Sequence, residues 1–111
     1  MPPEQPEGTV FVQATLKIIG GKWKLLILWH LKDGSKRFSE LRRLIPEITE
    51  KMLIQQLREL EKDQIVNRDV QSDVPPRVEY SFTAYGESLI PVLKPLCDWG
   101  QQHLNRVEHS R

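Results

Sequence analysis

Three polar residues with long side chains recur at helical spacing in the middle of the sequence. Lys51, Gln55 and Arg58 are four and three positions apart, so they project from one side of a helix. Their side chains can reach base edges in the major groove of DNA, where arginine pairs with guanine and glutamine with adenine. We interpret this ridge as a candidate DNA-reading surface; the alternative is an ordinary solvated helix face, which carries the same residue types.

The opposite side of this segment is apolar. Leu53, Leu57 and Leu60 fall together when the chain is turned by 100° per residue, which predicts that they seat the helix on a core. Thr49 is a good N-cap, and the helix is predicted to run from Glu50 to about Asp63. The same residues would therefore hold the helix in place and expose its polar ridge.

A shorter helix is predicted just before this one. Ser39 is the expected N-cap, and Pro46 ends the helix because proline disfavours helical geometry at the preceding residue. A tight turn over residues 46–48 then joins two helices, which is the spacing of a helix–turn–helix. In that motif the second helix is the one that enters the groove, beginning with its N-terminal residues.

This arrangement gives a set of candidate DNA contacts. Base or near-base contacts are predicted for Thr49, Lys51, Met52, Gln55 and Gln56. Phosphate contacts are predicted for Lys36, Arg37, Ser39, Thr49 and Arg58. Carboxylates repel phosphates, so Glu50, Glu59 and Glu61 must point away from the duplex or lie at the edge of the groove.

Two extended segments follow the helix–turn–helix. The sequences from Ile65 to Gln71 and from Arg77 to Phe82 flank a polar loop with two prolines, which predicts a β-hairpin. A hairpin directly after a helix–turn–helix is a wing. Arg77, just beyond the loop, could enter a minor groove or pair with phosphate; the alternative is a surface arginine beside Glu79.

The remaining elements are helical. Residues 10–19 suit a short helix that ends at a glycine pair, and residues 22–32 suit a central helix with apolar residues on nearly all sides. Thr83 is predicted to cap a long last helix, with a kink or break at Pro91 and Pro95. The predicted fold is mainly α with a small β-hairpin wing (α+β): a flexible lead-in over residues 1–8, one winged domain over 9–107 and a flexible tail over 108–111.

Composition fits one small domain that binds a polyanion. The chain has 111 residues and a net charge of only +1, but residues 16–43 hold eight Lys or Arg against two carboxylates. There is no apolar run long enough to span a membrane and no secretion signal, and the single Cys97 fits a reducing compartment. We therefore expect a cytoplasmic protein without a membrane role.

Enzyme chemistry is not indicated. His30, His103 and His109 show no spacing typical of metal or nucleophile sites, and no glycine-rich phosphate loop precedes a helix. His30 is predicted to lie at the edge of the core and Cys97 to be a small core residue. No cofactor or metal is expected.

The last helix is more apolar than one small domain can cover, which predicts pairing of two chains. Trp99 and Leu96 are the expected anchors; the alternative is that they pack on the helix bearing Trp23 and Trp29. A winged module used for protein–protein contact, without a DNA target, is the alternative function.

The ordered set of motifs resembles the HxlR family of winged helix–turn–helix regulators, related in architecture to MarR-type proteins. The resemblance covers about residues 10–104. Its motifs are Ile19-Gly20-Gly21-Lys22-Trp23, Gly34 with Arg37-Phe38-Ser39-Glu40-Leu41, Ile48–Leu53, Gln56–Glu61, Pro75–Thr83 with Gly86, and Trp99.

The resemblance implies a homodimer built from the first and last helices, a palindromic operator in double-stranded DNA and control of nearby genes, most simply by repression. It also implies that any small-molecule effector would shift the spacing of the two recognition helices. Some relatives sense oxidants through a cysteine just before the first helix, where this chain has Thr9-Val10-Phe11. Interface residues are expected to be Phe11, Leu16, Leu89, Leu93, Leu96, Trp99 and Leu104.

Overall fold

The computed structural model describes residues 6–72 and 74–109 and has the predicted winged helix–turn–helix architecture, mainly helical with a small antiparallel sheet. The elements in chain order are α1 (Glu7–Ile19), α2 (Lys24–Leu31), β1 (Lys36–Arg37), α3 (Phe38–Leu44), α4 (Glu50–Lys62), β2 (Val66–Gln71), β3 (Arg77–Phe82), a 3₁₀ turn (Gly86–Leu89) and α5 (Ile90–His109).

The core lies between α2, α3, α4 and the sheet. Ile27 and Leu28 of α2 meet Leu41 of α3 and Leu53 and Leu57 of α4, all of which are fully buried. This confirms the central position predicted for α2. The second glycine of the pair before it adopts a positive φ of 91°, which a residue with a Cβ rarely adopts, and this turn separates α1 from α2.

The wing is a three-stranded sheet in the order β1-β3-β2. Arg68 of β2 pairs with Tyr80 of β3, and Tyr80 pairs in turn with Lys36 of β1. The short connector before α3 is thus the third strand, which ties the helix–turn–helix to the wing. Tyr80 is buried, which fixes the face that β3 turns to the core.

Several predicted boundaries were wrong. The helix α1 begins at Glu7, inside the expected lead-in, and α5 extends to His109, inside the expected tail. Residues 1–5 and 110–111 lie outside the described part of the chain. Pro91 does not break α5, because it lies in the first turn, where its missing N–H needs no partner. The helix also continues through Pro95.

Thr83 caps the 3₁₀ turn rather than a long helix. Its hydroxyl accepts a hydrogen bond from the Gly86 backbone N–H at 2.7 Å and donates one to the Gln64 carbonyl at 2.6 Å. A side chain at Gly86 would collide with the Ile65 carbonyl, so only glycine allows the turn to approach the end of α4 this closely.

Candidate nucleic-acid interface

The helix α4 is seated as the sequence predicts. Leu53, Leu57 and Leu60 are buried in the core, and the Thr49 hydroxyl accepts a hydrogen bond from the Met52 N–H at 3.1 Å. The cap satisfies one of the backbone donors left free at the start of the helix. The position of α4 is therefore set by its apolar stripe and its cap together.

The opposite side of α4 is open. Lys51, Gln55 and Arg58 are all exposed, and together with Ile54 they line a broad concave surface along the helix. Glu50 and Glu59 line the same surface, so it presents two cations, one amide and two carboxylates to the solvent. Such a ridge can donate hydrogen bonds to base edges or phosphates of a duplex.

Met52 and Gln56 lie away from this ridge, on the flank between it and the core. Met52 is half-buried and packs against the core, and Gln56 Nε2 lies 3.4 Å from the Met52 Sδ. The same Nε2 donates to Glu59 Oε2 at 3.3 Å. These two side chains therefore interact within the protein, whereas sequence spacing placed them among the candidate base contacts.

The carboxylates of α4 have partners or lie beside cations. Glu50 Oε2 lies 3.7 Å from Arg42 Nη1 of α3, and Glu59 Oε1 lies 3.7 Å from Lys24 Nζ of α2. Glu61 is half-buried beside Arg58. Neighbouring helices thus supply opposite charges to two of these carboxylates, Glu50 and Glu59.

The predicted phosphate contacts before α4 lie at the base of the wing. Lys36 and Arg37 are half-buried in β1, where Lys36 Nζ donates to the Gly34 carbonyl at 3.4 Å. Ser39 is exposed, but it is not the N-cap of α3 as predicted. Arg37 occupies that position, and its backbone N–H donates to Glu40 Oε1 at 3.0 Å.

The wing tip projects into solvent. Val74 is 97% exposed and the two prolines after it are exposed as well, while Arg77 is exposed at the start of β3, opposite Gln71. The Glu79 carboxylate accepts hydrogen bonds from Ser35 Oγ at 3.2 Å and from Gln71 Nε2 at 3.5 Å. Arg77 is thus positioned at the outer end of the hairpin.

Sequence reasoning missed Arg68. This exposed residue of β2 shares a groove between the wing and α4 with Arg58, Glu61 and Tyr80. Two arginines therefore line the groove, one on each side. Only the pairing of Arg68 with Tyr80 places it there, because the polarity of residues 65–71 alternates too weakly to assign faces from the sequence.

The predicted interface residues separate into two groups. Leu93 is buried in the core of its own chain and Leu89 is half-buried against that core, so Leu93 was wrongly assigned to a contact with a second chain. Trp99 is 66% exposed and stacks on His103 with ring centroids 5.3 Å apart, rather than packing on α2. The exposed remainder is Phe11, Leu16, Leu96 and Leu104.

Cys97 and His30 differ in their exposure to solvent. Cys97 is exposed on α5, so the prediction that it is a core residue was wrong. His30 is half-buried, and burial, followed by the charges of Lys36 and Lys32, lowers its pKa below the ordinary histidine value. The lowered pKa favours the neutral imidazole.

The described residues include neither a metal-type cluster nor a membrane-spanning helix. Over residues 6–72 and 74–109, His, Cys, Asp and Glu form no cluster that could hold a metal ion. None of the helices in the described part of the chain is long and apolar enough to cross a membrane.

Sequence comparisons agree with this geometry. The family described as HxlR-like helix-turn-helix matches residues 18–108. The chain is 57% identical over 104 residues to the HTH-type transcriptional regulator YtcD of Bacillus subtilis strain 168. The aligned region covers 94% of this chain and 82% of YtcD.

Solved structures show the same fold. The redox regulator HypR in its reduced form is 49% identical with a TM-score of 0.82, covering 88% of this chain and 97% of HypR. A MarR-family transcriptional regulator from Enterococcus faecalis V583 is 36% identical with a TM-score of 0.78, covering 98% and 99%. These relatives are all named as regulators. The chain belongs to the HxlR-like helix-turn-helix family of DNA-binding transcriptional regulators.

Proposed function

We propose that this protein is a sequence-specific repressor that binds a palindromic operator as a homodimer, with α4 in the major groove. The observation that carries the proposal is the open ridge of Lys51, Gln55 and Arg58 on a helix whose other side is fixed by buried leucines. A rigid helix can hold such side chains in register with base edges, which is what sequence-specific reading requires.

The wing and the helix starts would add contacts to the DNA backbone. Arg68 beside α4 supplies a cation on the same side of the domain as Arg58, and Arg77 supplies one at the outer end of the hairpin. Contacts of this kind position a protein on the duplex without reading its sequence. Lys36, Arg37, Ser39 and Thr49 are proposed to act in the same way.

The dimer is supported by apolar residues that α1 and α5 leave uncovered. Phe11 and Leu16 of α1 and Leu96, Trp99 and Leu104 of α5 are each about half exposed or more. Apolar surface of this extent is typical of protein interfaces. Two-fold pairing would place two copies of α4 about one DNA turn (~34 Å) apart, which matches two half-sites of a palindrome.

Repression follows most simply from occupancy, because a dimer on its operator blocks access to the promoter. A small-molecule effector that alters the packing of α1 and α5 would change the spacing of the recognition helices. HypR is named a redox regulator, whereas the control proposed for this chain acts through a small-molecule effector.

The decisive experiment is selection of duplexes from a randomised 24-base-pair library by the wild-type protein, followed by footprinting. We expect a palindromic consensus, and we expect the variant K51A/Q55A to lose the preference for it while remaining dimeric. The matched control is Q13A/K17A, which removes the same two residue types at the same spacing from the exposed face of α1.

Salt dependence separates this proposal from the alternative of a protein–protein module. Binding through several phosphates weakens steeply as salt rises, with a slope of log K against log salt of about −0.9 per phosphate neutralised. A flat salt profile, no enriched sequence, or wild-type selectivity in K51A/Q55A would overturn the proposal.

A further inference from the structure

Lys24 occupies an unusual position for a charged side chain. Among residues 6–72 and 74–109 it is the one charged residue that is buried, and only 10% of its side chain remains exposed. Removing an ammonium group from water is strongly unfavourable unless a partner of opposite charge is present. The function of this residue therefore depends on what its ammonium group contacts.

The partner is on the recognition helix. Lys24 Nζ lies 3.7 Å from Glu59 Oε1, and the other oxygen of that carboxylate accepts a hydrogen bond from Gln56 Nε2 at 3.3 Å. Both oxygens of Glu59 thus have partners within the chain, while 45% of its side chain remains exposed. This contact also links α2, in the centre of the core, directly to the exposed half of α4.

Glu59 lies next to the DNA-facing ridge. It borders the concave surface formed by Lys51, Gln55 and Arg58, immediately after Arg58 in the sequence. An unpaired carboxylate at this position would face the phosphates and would also attract the side chain of Arg58. Its charge must be cancelled for the ridge to present a positive surface.

We propose that Lys24 is a positioning residue for DNA recognition, which neutralises Glu59 and holds it at the edge of the reading surface. This inference rests on the proposed function and deepens it, because it assigns a role in DNA binding to a buried residue that does not touch the duplex. Lys24 acts through Glu59, whereas Lys51, Gln55 and Arg58 make the contacts.

The proposal is tested with two substitutions alone and combined. K24M keeps the apolar stem and removes the charge, and E59Q keeps the shape and removes the carboxylate. Affinity is measured by fluorescence anisotropy on a labelled duplex selected by the wild-type protein, over a range of KCl concentrations. Thermal unfolding of each variant is recorded in parallel.

We expect K24M to weaken DNA binding about three- to tenfold at low salt, because the unpaired Glu59 carboxylate repels the DNA phosphates. The loss of affinity is expected to shrink as KCl screens this repulsion. K24M/E59Q, which lacks the exposed carboxylate, is expected to bind within about twofold of wild type. The control K94M also removes one lysine paired with a carboxylate, Asp98, but on α5 away from the ridge, and is expected to bind as wild type does.

The outcomes are distinguishable. A wild-type protein that binds no duplex overturns the proposed function and this inference together. A K24M variant that binds as wild type does, or a double variant with the same deficit as K24M, overturns only the role of Lys24. If K24M does not fold, the role of Lys24 is tested by comparing the DNA affinities of E59Q and K24M/E59Q. The proposal requires these two affinities to be equal, because Lys24 has no carboxylate to neutralise once Glu59 is replaced by glutamine.

Discussion

The helices α4 and α5 are both amphipathic, but their apolar sides have different partners. In α4 the apolar side packs against the core of its own chain, where Leu53 and Leu57 are fully buried. In α5 only Leu93 is buried, while Leu96 and Trp99 remain open to solvent. A hydrophobic pattern therefore identifies which side of a helix is apolar, but not whether its partner is in the same chain.

The polar sides of the two helices differ as well. The carboxylates Glu50 and Glu59 of α4, which border the ridge, are paired with cations from α3 and α2. On α5 the ion pair between Lys94 and Asp98 lies within the same helix. The polar side of α4 is thus shaped by the rest of the fold, and the polar side of α5 is shaped locally.

The largest effect is expected from a substitution that creates a cavity in the core beneath α4. Leu57→Ala is expected to lower the free energy of unfolding by about 2–5 kcal/mol, because Leu57 is fully enclosed and the vacated space cannot be refilled. Urea denaturation followed by circular dichroism measures the change. Leu44→Ala, a leucine of α3 that is 44% exposed and is not assigned to the dimer interface, is the control and is expected to have a much smaller effect; equal losses would show that the burial of Leu57 does not determine its contribution.

The second test concerns the uncovered side of α5. On the proposal of a homodimer, Trp99→Ala is expected to raise the dissociation constant about thirtyfold or more, because buried tryptophans contribute about 2 kcal/mol or more at interfaces. Sedimentation equilibrium measures it. Gln101→Ala, an exposed position on the same helix, serves as the control. A loss of stability in Trp99→Ala that is independent of protein concentration would show that Trp99 packs within its own chain.

The smallest expected effect concerns the groove between α4 and the wing. Arg68→Ala is expected to weaken DNA binding by about tenfold or less, equally on all sequences, and to reduce the salt slope by about one, as removal of one phosphate contact requires. Anisotropy titrations on selected and unrelated duplexes measure both quantities. Asn67→Ala, the neighbouring exposed residue whose side chain leaves the opposite face of β2, is the control. A change confined to one sequence would mean that Arg68 reads bases.

Much of the fold could be predicted because local signals are strong here. The leucine stripe of α4 and the cap at Thr49 are periodic and capping patterns that need no knowledge of distant residues. Ser39 shows where such signals fail, since α3 begins at Phe38, two residues earlier than a cap at Ser39 requires, with Glu40 bonded to the backbone of Arg37. Arg37 is in turn held in β1 by pairing with β3, a contact far away in the sequence.

The candidate site was predicted only in part for the same reason. The spacing of Lys51, Gln55 and Arg58 is a property of one helix, so the sequence alone determined that they share an open side. Glu59 and Arg68 acquired their places from α2 and the wing, through an ion pair and a strand register. These interactions join residues that are distant along the chain, and only the tertiary structure decides which of them form, because each depends on how the elements pack.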